Sequence, residues 1–350
     1  MPETKQPRRI AWYRTPIERD LLRTLSRRSN LKGFVQTPSY LGLYGLTAGT
    51  ALYALGRWPW PVVVLLVFLH GTVAAFMING VHELGHQTVF RSPWLNRLFL
   101  RILAFLGWTN FEVFNVSHAR HHAYTLHPPD DLEVVLPIKL MRQHFFKQGF
   151  IQPLGPYYAI KGQVRVALGK FGAGWEQSLF PASDPRKARA PRRWALTLLV
   201  GHGLIVAVSL YLHLWLVPVL VTLGPFYGGW LQWLCNNTQH IGLMDNAPDF
   251  RLCCRTFIPN PCVRVLYWQM NYHTEHHMYP TVPCYHLGRL HAAIRHDLPP
   301  CPIGIRAVWR EIAAILRKQE QDPTYQYRAP VPTPGLAPSA IELTPGGAPA

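Results

Sequence analysis

The sequence predicts an all-α membrane protein: four transmembrane helices in two hairpins, with a cytoplasmic helical cap that carries clusters of histidine. Hydrophobic residues make up 49% of the 350 residues and charged residues only 15%, whereas soluble domains carry about 25% charged residues. The apolar residues are concentrated in long runs, and about 20 apolar residues in a helix cross roughly 30 Å of hydrocarbon. Basic residues lie mostly outside these runs and give a formal net charge of +17.

The first hairpin is predicted from two uncharged apolar runs, at about 40–56 and 62–80. Arg57 and the sequence "WPWP" at 58–61 separate the two runs. Tryptophan is enriched where helices leave the hydrocarbon. The short link therefore predicts two antiparallel neighbouring crossings.

The second hairpin is predicted from the apolar sequence of residues 194–234. This run is too long for one crossing, because an α-helix rises only about 1.5 Å per residue. We divide it near His213, which predicts crossings at about 194–211 and 214–235.

The other segments flank or connect the hairpins. Residues 95–114 are apolar but contain Arg97, Arg101 and Glu112, which favours a helix lying at the membrane interface, and residues 144–160 are a second candidate. We divide the chain into a basic N-terminal segment (1–37), a membrane domain (38–300), a C-terminal helix (301–321) and a proline-rich tail predicted to be disordered (322–350).

The distribution of charge predicts the orientation of the crossings. The basic residues lie in the N-terminal segment and just before the second hairpin, whereas the hairpin turns contain only Arg57 and His213. By the positive-inside rule, both termini and residues 81–193 face the cytoplasm, and the protein is multi-pass. The same asymmetry accounts for the high net charge without a nucleic-acid partner, for which the sequence has no motif.

Histidine is the chemically informative residue of this chain. Spacings of three or four place several imidazoles on one face of a helix, and neutral imidazole is a ligand for iron, zinc and copper. The second and third clusters share the pattern H-x-x-H-H, which is improbable by chance. Each cluster is predicted to lie on the cytoplasmic side, and Asn236 and His240 follow the fourth run. The candidate ligands are His82, His86, His118, His121, His122, Asn236, His240, His273, His276 and His277.

The first cluster, "HELGH", also matches the H-E-x-x-H signature of zinc proteases, in which the glutamate is a general base. A single zinc would leave most of the clustered histidines without a role, and the sequence contains no Asp-Gly element to supply a third ligand. We therefore keep a membrane zinc metalloprotease only as a remote alternative. Glu83, Asp131 and Glu275 are candidates to orient ligand imidazoles through their second ring nitrogen; an ordinary surface or capping role is an equal alternative for each.

The chain resembles the integral-membrane fatty acid desaturase and hydroxylase family, which is marked by the motifs H-x(3,4)-H, H-x(2,3)-H-H and [HQ]-x(2,3)-H-H. Here these motifs are "HELGH", "HARHH" and "HTEHH", in that order and beside apolar hairpins. The resemblance covers about residues 38–300, and residues 276–291 are similar to bacterial acyl-lipid desaturases. It implies a non-haem centre of two iron ions that activates O2, completed by Asn236 and His240.

The resemblance implies a lipid desaturase that introduces a double bond into a fatty acyl chain. A lipid or carotenoid hydroxylase or ketolase of the same family is the alternative, and a non-catalytic metal-binding or transport protein is a third. Electrons must come from a separate ferredoxin, or from cytochrome b5 with its reductase, because the sequence contains no haem or ferredoxin motif. A basic cytoplasmic face suits an acidic donor, so charge reversal at Arg186, Lys187 and Arg189 is expected to weaken donor binding.

Overall fold

The fold is known from a computed structural model that describes residues 9–138 and 145–332. These residues form helices without β-strands, and only isolated β-bridges join separate segments. The α-helices are α1 (Arg19–Leu25), α2 (Asn30–Ala54), α3 (Trp60–Ala74), α4 (Met77–Gly85), α5 (Pro93–Leu106), α6 (Phe111–Tyr124), α7 (Gly155–Ala167), α8 (Trp175–Leu179), α9 (Arg189–Tyr211), α10 (Leu216–Val221), α11 (Trp230–Asn236), α12 (Phe250–Cys253), α13 (Pro261–Leu266), α14 (His273–Met278), α15 (Cys284–Ile294) and α16 (Ile305–Gln321). The prediction of an all-α protein is confirmed for this part of the chain.

Two helices in the described ranges are long and apolar enough to cross a bilayer: Trp60–Gly85, which comprises α3 and α4, and Arg189–Tyr211, which is α9. They contain the second and third predicted crossings. The first predicted crossing, 40–56, forms the C-terminal part of α2, which begins earlier, at Asn30. The side chain of Ser29 caps this helix by accepting a hydrogen bond from the Lys32 amide at 3.3 Å.

The fourth predicted crossing, 214–235, is not one continuous helix in the structure, and it is not one of the two helices that are long and apolar enough to cross a bilayer. It consists of α10, a short 3-10 helix at Gly224–Phe226 and α11. Pro225 cannot donate a backbone hydrogen bond, and Gly228 has a φ of +68°, a value that side chains disfavour. A Cβ at Gly228 would lie 2.4 Å from the carbonyl oxygen of Phe68, so the broken segment passes directly against α3.

Each of the two segments predicted as a single interface helix is split between two elements in the structure. Residues 95–114 span α5 and the start of α6, with a turn between them in which Trp108 has a φ of +53°. The segment 144–160 forms a π-helical turn at Phe146–Phe150 and the first part of α7; residue 144 lies outside the described residues.

The C-terminal helix α16 begins at Ile305 rather than at residue 301. The tail after it is ordered as far as residue 332, in contrast to the predicted disorder from 322. The Tyr327 amide donates to the carbonyl of Gly242 at 2.8 Å, and Gln326 donates to the Asp245 carboxylate at 2.8 Å. The remaining tail, residues 333–350, lies outside the described residues.

One hydrophobic core joins the membrane helices to the histidine-bearing cap. Trp268, which is fully buried, lies against Tyr40 of α2 with ring centroids 5.7 Å apart. A Cβ at Gly80 of α4 would lie 2.7 Å from the Trp268 ring and 2.4 Å from Leu103 of α5. This close packing places the third histidine cluster beside the end of α4, where the first cluster lies.

Candidate metal centre

The structure brings together all nine histidines that the sequence singles out. They form two groups, and within each group the candidate ligand atoms lie within 4.8 Å of one another. Group A contains His82, His86, His118, His122 and His276; group B contains His121, His240, His273 and His277.

Two helices supply histidines to both groups. On α6, His118 and His122 are four residues apart and belong to group A, whereas His121 belongs to group B. On α14, His276 belongs to group A, and its neighbour His277 belongs to group B. Neighbouring positions on a helix point in different directions, so each helix stands between the two groups and holds them side by side.

Several ring nitrogens of different histidines face one another at hydrogen-bond distance, and others have no partner. The Nε2 atom of His122 lies 3.0 Å from Nε2 of His118 and 3.1 Å from Nε2 of His276. In group B, the Nε2 atoms of His240 and His273 are 2.9 Å apart. The Nε2 atoms of His82, His86 and His277 are buried and have no hydrogen-bond partner among the described residues. Converging lone pairs of this kind fit a cation in each group.

Burial favours the neutral form of six of these imidazoles. Burial, with the neighbouring His121 as a further cause, lowers the pKa of His240 to about 3. Burial likewise lowers the pKa well below its ordinary value for His118, His122, His273, His276 and His277. Neutral imidazole is the form that binds a metal, so these six rings are ready to act as ligands at neutral pH.

Carboxylates orient the rings of group A. The Nδ1 atom of His82 lies 3.0 Å from the Glu83 carboxylate, and Nδ1 of His118 lies 3.0 Å from the Glu133 carboxylate. Glu133 also accepts a hydrogen bond from Ser117. When Nδ1–H donates to a carboxylate, Nε2 keeps its lone pair and points to the metal. Sequence reasoning proposed Glu83 but missed Glu133, although this residue ends the segment "HPPDDLE" that contains Asp131.

Group B is oriented by a mixture of partners. Nδ1 of His121 lies 2.7 Å from the Asp131 carboxylate, Nδ1 of His240 lies 2.7 Å from the Cys253 carbonyl, and Nδ1 of His277 lies 3.1 Å from the Thr125 hydroxyl. Burial alone would raise the pKa of Asp131, but hydrogen bonds from His121 and two backbone amides bring this pKa below its ordinary value. Asp131 therefore stays ionised beside His121.

Glu275 and Asn236, which the sequence also suggested as site residues, do not belong to group A or group B. Glu275 accepts hydrogen bonds from Thr256 and from His291, each at 2.5 Å, and neither partner belongs to group A or B. Glu275 therefore joins α14 to α15 and to the segment before α13, instead of orienting a group A or B imidazole. Asn236 is exposed at the C-terminal end of α11, unlike the buried His240.

The two groups differ in their access to the surroundings. Group A borders a cavity of about 160 Å³ lined by His82, Gly85, His86, Asn115, His118, Ala119, His122 and Pro280. The ring of Phe114 stacks on His118 with centroids 5.1 Å apart. Phe114 also lines a groove of about 380 Å³ between α6 and α7, which Glu133 borders. All four histidines of group B are buried.

Comparison with known proteins identifies the kind of chain to which this site belongs. A family model described as "Fatty acid desaturase" matches residues 58–309. The chain is 26% identical over 268 residues to "Omega-3 fatty acid desaturase, chloroplastic" of Glycine max, an alignment that covers 71% of this chain and 56% of the relative. It is 25% identical over 326 residues to "sn-1 oleoyl-lipid 12-desaturase" of Picosynechococcus sp., covering 85% of this chain and 87% of the relative.

The chain is also 23% identical over 229 residues to "Sphingolipid delta(4)-desaturase DES1-like" of Oryza sativa, an alignment that covers 64% of this chain and 62% of the relative. The chain spans a little over half the length of the soybean relative and most of the length of the cyanobacterial one.

Proposed function

The chain belongs to the fatty acid desaturase family, whose members are oxidoreductases, and we propose that it introduces a double bond into a fatty acyl chain of a lipid. The observation that carries this proposal is the pair of adjoining histidine groups, since both lie within the matched residues. The similar proteins are named desaturases rather than hydroxylases, which favours desaturation over the hydroxylase alternative.

We propose that groups A and B each hold one iron ion. The donor set supports this assignment, because buried neutral imidazoles with unpartnered Nε2 atoms suit a first-row transition metal. When bound, the iron pair supplies the activation of O2 that removes hydrogen from an unactivated CH2, which amino-acid side chains cannot do. A zinc protease would use only His82, His86 and one further ligand, which leaves the rest of the two groups unexplained.

The overall reaction fixes what the protein must provide. Two hydrogens from neighbouring carbons, one O2, two electrons and two protons yield a double bond and two waters. The side chains of Glu83, Glu133 and Asp131 hold ligand imidazoles in one orientation by accepting from Nδ1. This fixed geometry keeps the Nε2 atoms of these imidazoles directed at the ion that each group would hold.

The substrate chain is proposed to enter the cavity that borders group A, because this cavity is the described space that several ligand imidazoles line. Gly85 and Ala119 offer little side-chain bulk there, and a Cβ at Gly85 would lie 2.5 Å from the Asn115 side chain. The groove beside Phe114 lies next to His118 and its partner Glu133.

We further propose that the protein lies in the membrane with two hairpins and that both termini and the histidine groups face the cytoplasm. Apolar side chains at four-residue intervals on α9, at Leu196, Val200, Leu204 and Val208, are exposed. A stripe of this kind is costly in water but is favourable against hydrocarbon. Basic residues at both ends of the described membrane region agree with a cytoplasmic position.

Expression in a host of simple lipid composition, followed by mass spectrometry of total fatty acids, tests the proposed function. The wild-type protein, supplied with a ferredoxin and its reductase, is expected to produce acyl chains two hydrogens lighter than their precursors. His276→Ala removes a group A ligand and is expected to abolish them. His296→Ala is the matched control, because this histidine is exposed and belongs to neither group.

Metal analysis of the purified protein distinguishes the alternatives. Two irons per chain together with the lighter acyl chains support the proposal. Products heavier by one oxygen that depend on His276 would replace desaturation by hydroxylation, and one zinc without lipid products would overturn both.

A further inference from the structure

The N-terminal segment forms a fixed cover over one side of the histidine groups. The Tyr13 hydroxyl donates to the Asp297 carboxylate at 2.7 Å, and the Arg251 guanidinium lies 4.0 Å from the centroid of the Tyr13 ring. The Tyr279 hydroxyl donates to the Thr15 carbonyl at 2.5 Å. These contacts join residues more than 230 positions apart in the sequence, so they hold this segment in a defined place on the cap.

Trp12 begins a packed row of three rings that ends in group B. Its indole stacks on Phe250, with centroids 4.2 Å apart and planes inclined by 10°. The Phe250 ring lies 5.6 Å from the ring of His277. Trp12 is half-buried, Phe250 is fully buried, and the indole N–H donates to the Ala123 carbonyl at 3.0 Å. The row therefore connects the surface to a group B imidazole through side chains in contact.

Because group B is buried, electrons can reach it only through packed side chains, and the row of rings provides such a path. All four group B histidines are buried, so a protein that delivers electrons cannot touch them and must transfer electrons through packed atoms. The cavity beside group A is a poor alternative for docking, because a bound protein there would block the space assigned to the substrate. Phe250 contacts His277 and thus leads to the buried side of the centre.

The surface around Trp12 has the charge that an acidic partner requires. Residues 9–32 contain seven basic and two acidic residues, which gives a formal charge of +5. Arg9 and Arg14 lie on either side of Trp12 in the sequence, and both are exposed. Clustered charge of one sign attracts an oppositely charged protein and raises its rate of association.

We infer that Trp12 is the surface end of the route by which electrons reach group B, and that its face, with Arg9 and Arg14, receives a small acidic one-electron carrier protein. This inference rests on the proposed function, since that reaction consumes two electrons. In each encounter the carrier is oxidised by one electron and the iron centre is reduced by one electron. Two encounters therefore supply one turnover.

The rate of oxidation of a reduced carrier tests the inference without measuring lipid products. Purified iron-loaded protein is mixed anaerobically with a reduced acidic [2Fe–2S] ferredoxin, and ferredoxin absorbance is followed by stopped flow. Dithionite, a small reductant that needs no docking face, is used in parallel. Trp12→Ala is expected to slow ferredoxin oxidation by about tenfold or more, a change of the size that truncating an aromatic anchor of a protein interface produces, and to leave reduction by dithionite unchanged.

Two further substitutions make the result specific. Trp12→Phe keeps an aromatic ring against Phe250 and is expected to retain most of the rate. Trp94→Ala removes a tryptophan that is exposed elsewhere, on α5, and is expected to have no effect. An unchanged rate in Trp12→Ala would overturn the inference. An equal loss with both reductants would also overturn it, because Trp12 would then act on the fold or on the iron centre.

Charge reversal tests the docking face separately from the ring. Arg14→Glu is expected to lower the second-order rate at low salt, with the difference from wild type disappearing at high salt, because salt screens exposed charges. Arg186→Glu reverses an exposed charge in the other basic segment, where the sequence alone favours donor binding, and it is the competing variant. A larger effect at Arg186 than at Arg14 would move the docking face away from Trp12 and overturn the inference. Failure of the proposed function is recognised independently, as absence of desaturated lipid from protein that dithionite reduces.

Discussion

The Asp131 carboxylate lies 2.7 Å from Nδ1 of His121, and both side chains are excluded from solvent. The same carboxylate accepts hydrogen bonds from the backbone amides of Leu126 and Glu133 at 2.8 and 2.9 Å. These two backbone amides hold the Asp131 carboxylate in place independently of its contact with the His121 ring. This arrangement makes the group B imidazole a rigid ligand and leads to the first prediction.

Asp131→Asn is expected to lower the iron affinity of group B by about 10- to 100-fold, the usual effect of losing a carboxylate that orients a metal-bound histidine. The amide cannot accept a hydrogen bond with the strength of a carboxylate. Iron content after dialysis against a weak chelator, measured by mass spectrometry, is expected to fall from two towards one per chain. Asp130→Asn is the control, because this neighbouring carboxylate makes no described contact with a group A or B histidine; equal iron content in both variants would contradict the prediction.

Glu133→Gln is expected to produce the corresponding loss at group A, again by about 10- to 100-fold in affinity, because it removes the charge beside Nδ1 of His118. The activity of this variant is expected to fall with its iron content. Glu18→Gln, at an exposed position, serves as the control. If Glu133→Gln binds two irons as tightly as wild type, Glu133 has no part in orienting His118.

The metal-free protein is expected to lose stability as the pH falls. Burial lowers the pKa of His240 to about 3 from its ordinary value of 6.5, so between these values the unfolded chain binds a proton that the folded chain does not. The free energy of unfolding then decreases by about 1.4 kcal/mol per pH unit for each histidine of this kind. The effect is absent above about pH 6.5 and grows towards pH 3.

Thermal unfolding of metal-free protein in detergent between pH 7.5 and 4.5 measures this dependence. His240→Gln is expected to flatten the slope, because glutamine does not titrate. A midpoint that is independent of pH across this interval would show that the buried histidines are protonated in the folded state.

Gly80→Ala is expected to destabilise the fold by about 1 to 3 kcal/mol, the usual effect of overpacking a core. A Cβ there would lie 2.4 Å from Leu103 and 2.7 Å from the Trp268 ring, at the contact between α4 and the cap. Gly42→Ala is the matched control, since a Cβ at Gly42 meets nothing within 4 Å. The melting temperature is expected to fall only for Gly80→Ala, and a fall of equal size in both variants would refute the packing argument.

The convergence of the histidines was predictable because helical spacing is a local property. Pairs three or four residues apart share a face wherever the helix lies, and the positions of the apolar runs placed the clusters near one surface. The division into two groups was not predictable, because it depends on the rotation of α6 and α14 about their axes. That rotation is set by packing partners such as Trp268, which lie far away in the sequence.

The partners of the histidines were harder to predict than the histidines. Glu133 lies 15 positions after His118, beyond the end of α6, and no spacing rule describes such a connection. Trp12 lies 238 residues from Phe250, and only tertiary structure brings them together. The break in the fourth predicted crossing has a different origin. Its hydropathy is that of a continuous helix, but Pro218, Pro225 and Gly228 are local signals for a broken one.

The unequal burial of groups A and B has a consequence for the lifetime of the centre. Two histidines of group A are only half-buried and border a cavity, whereas group B is closed on every side by protein. With one iron in each group, as proposed, a dissolved chelator would reach the ion in group A through the cavity, whereas the ion in group B would leave only when the cap opens. During iron starvation the enzyme would pass through a half-loaded form with group B still filled. Recovery would then require only one ion, captured at the accessible side, without refolding of the chain.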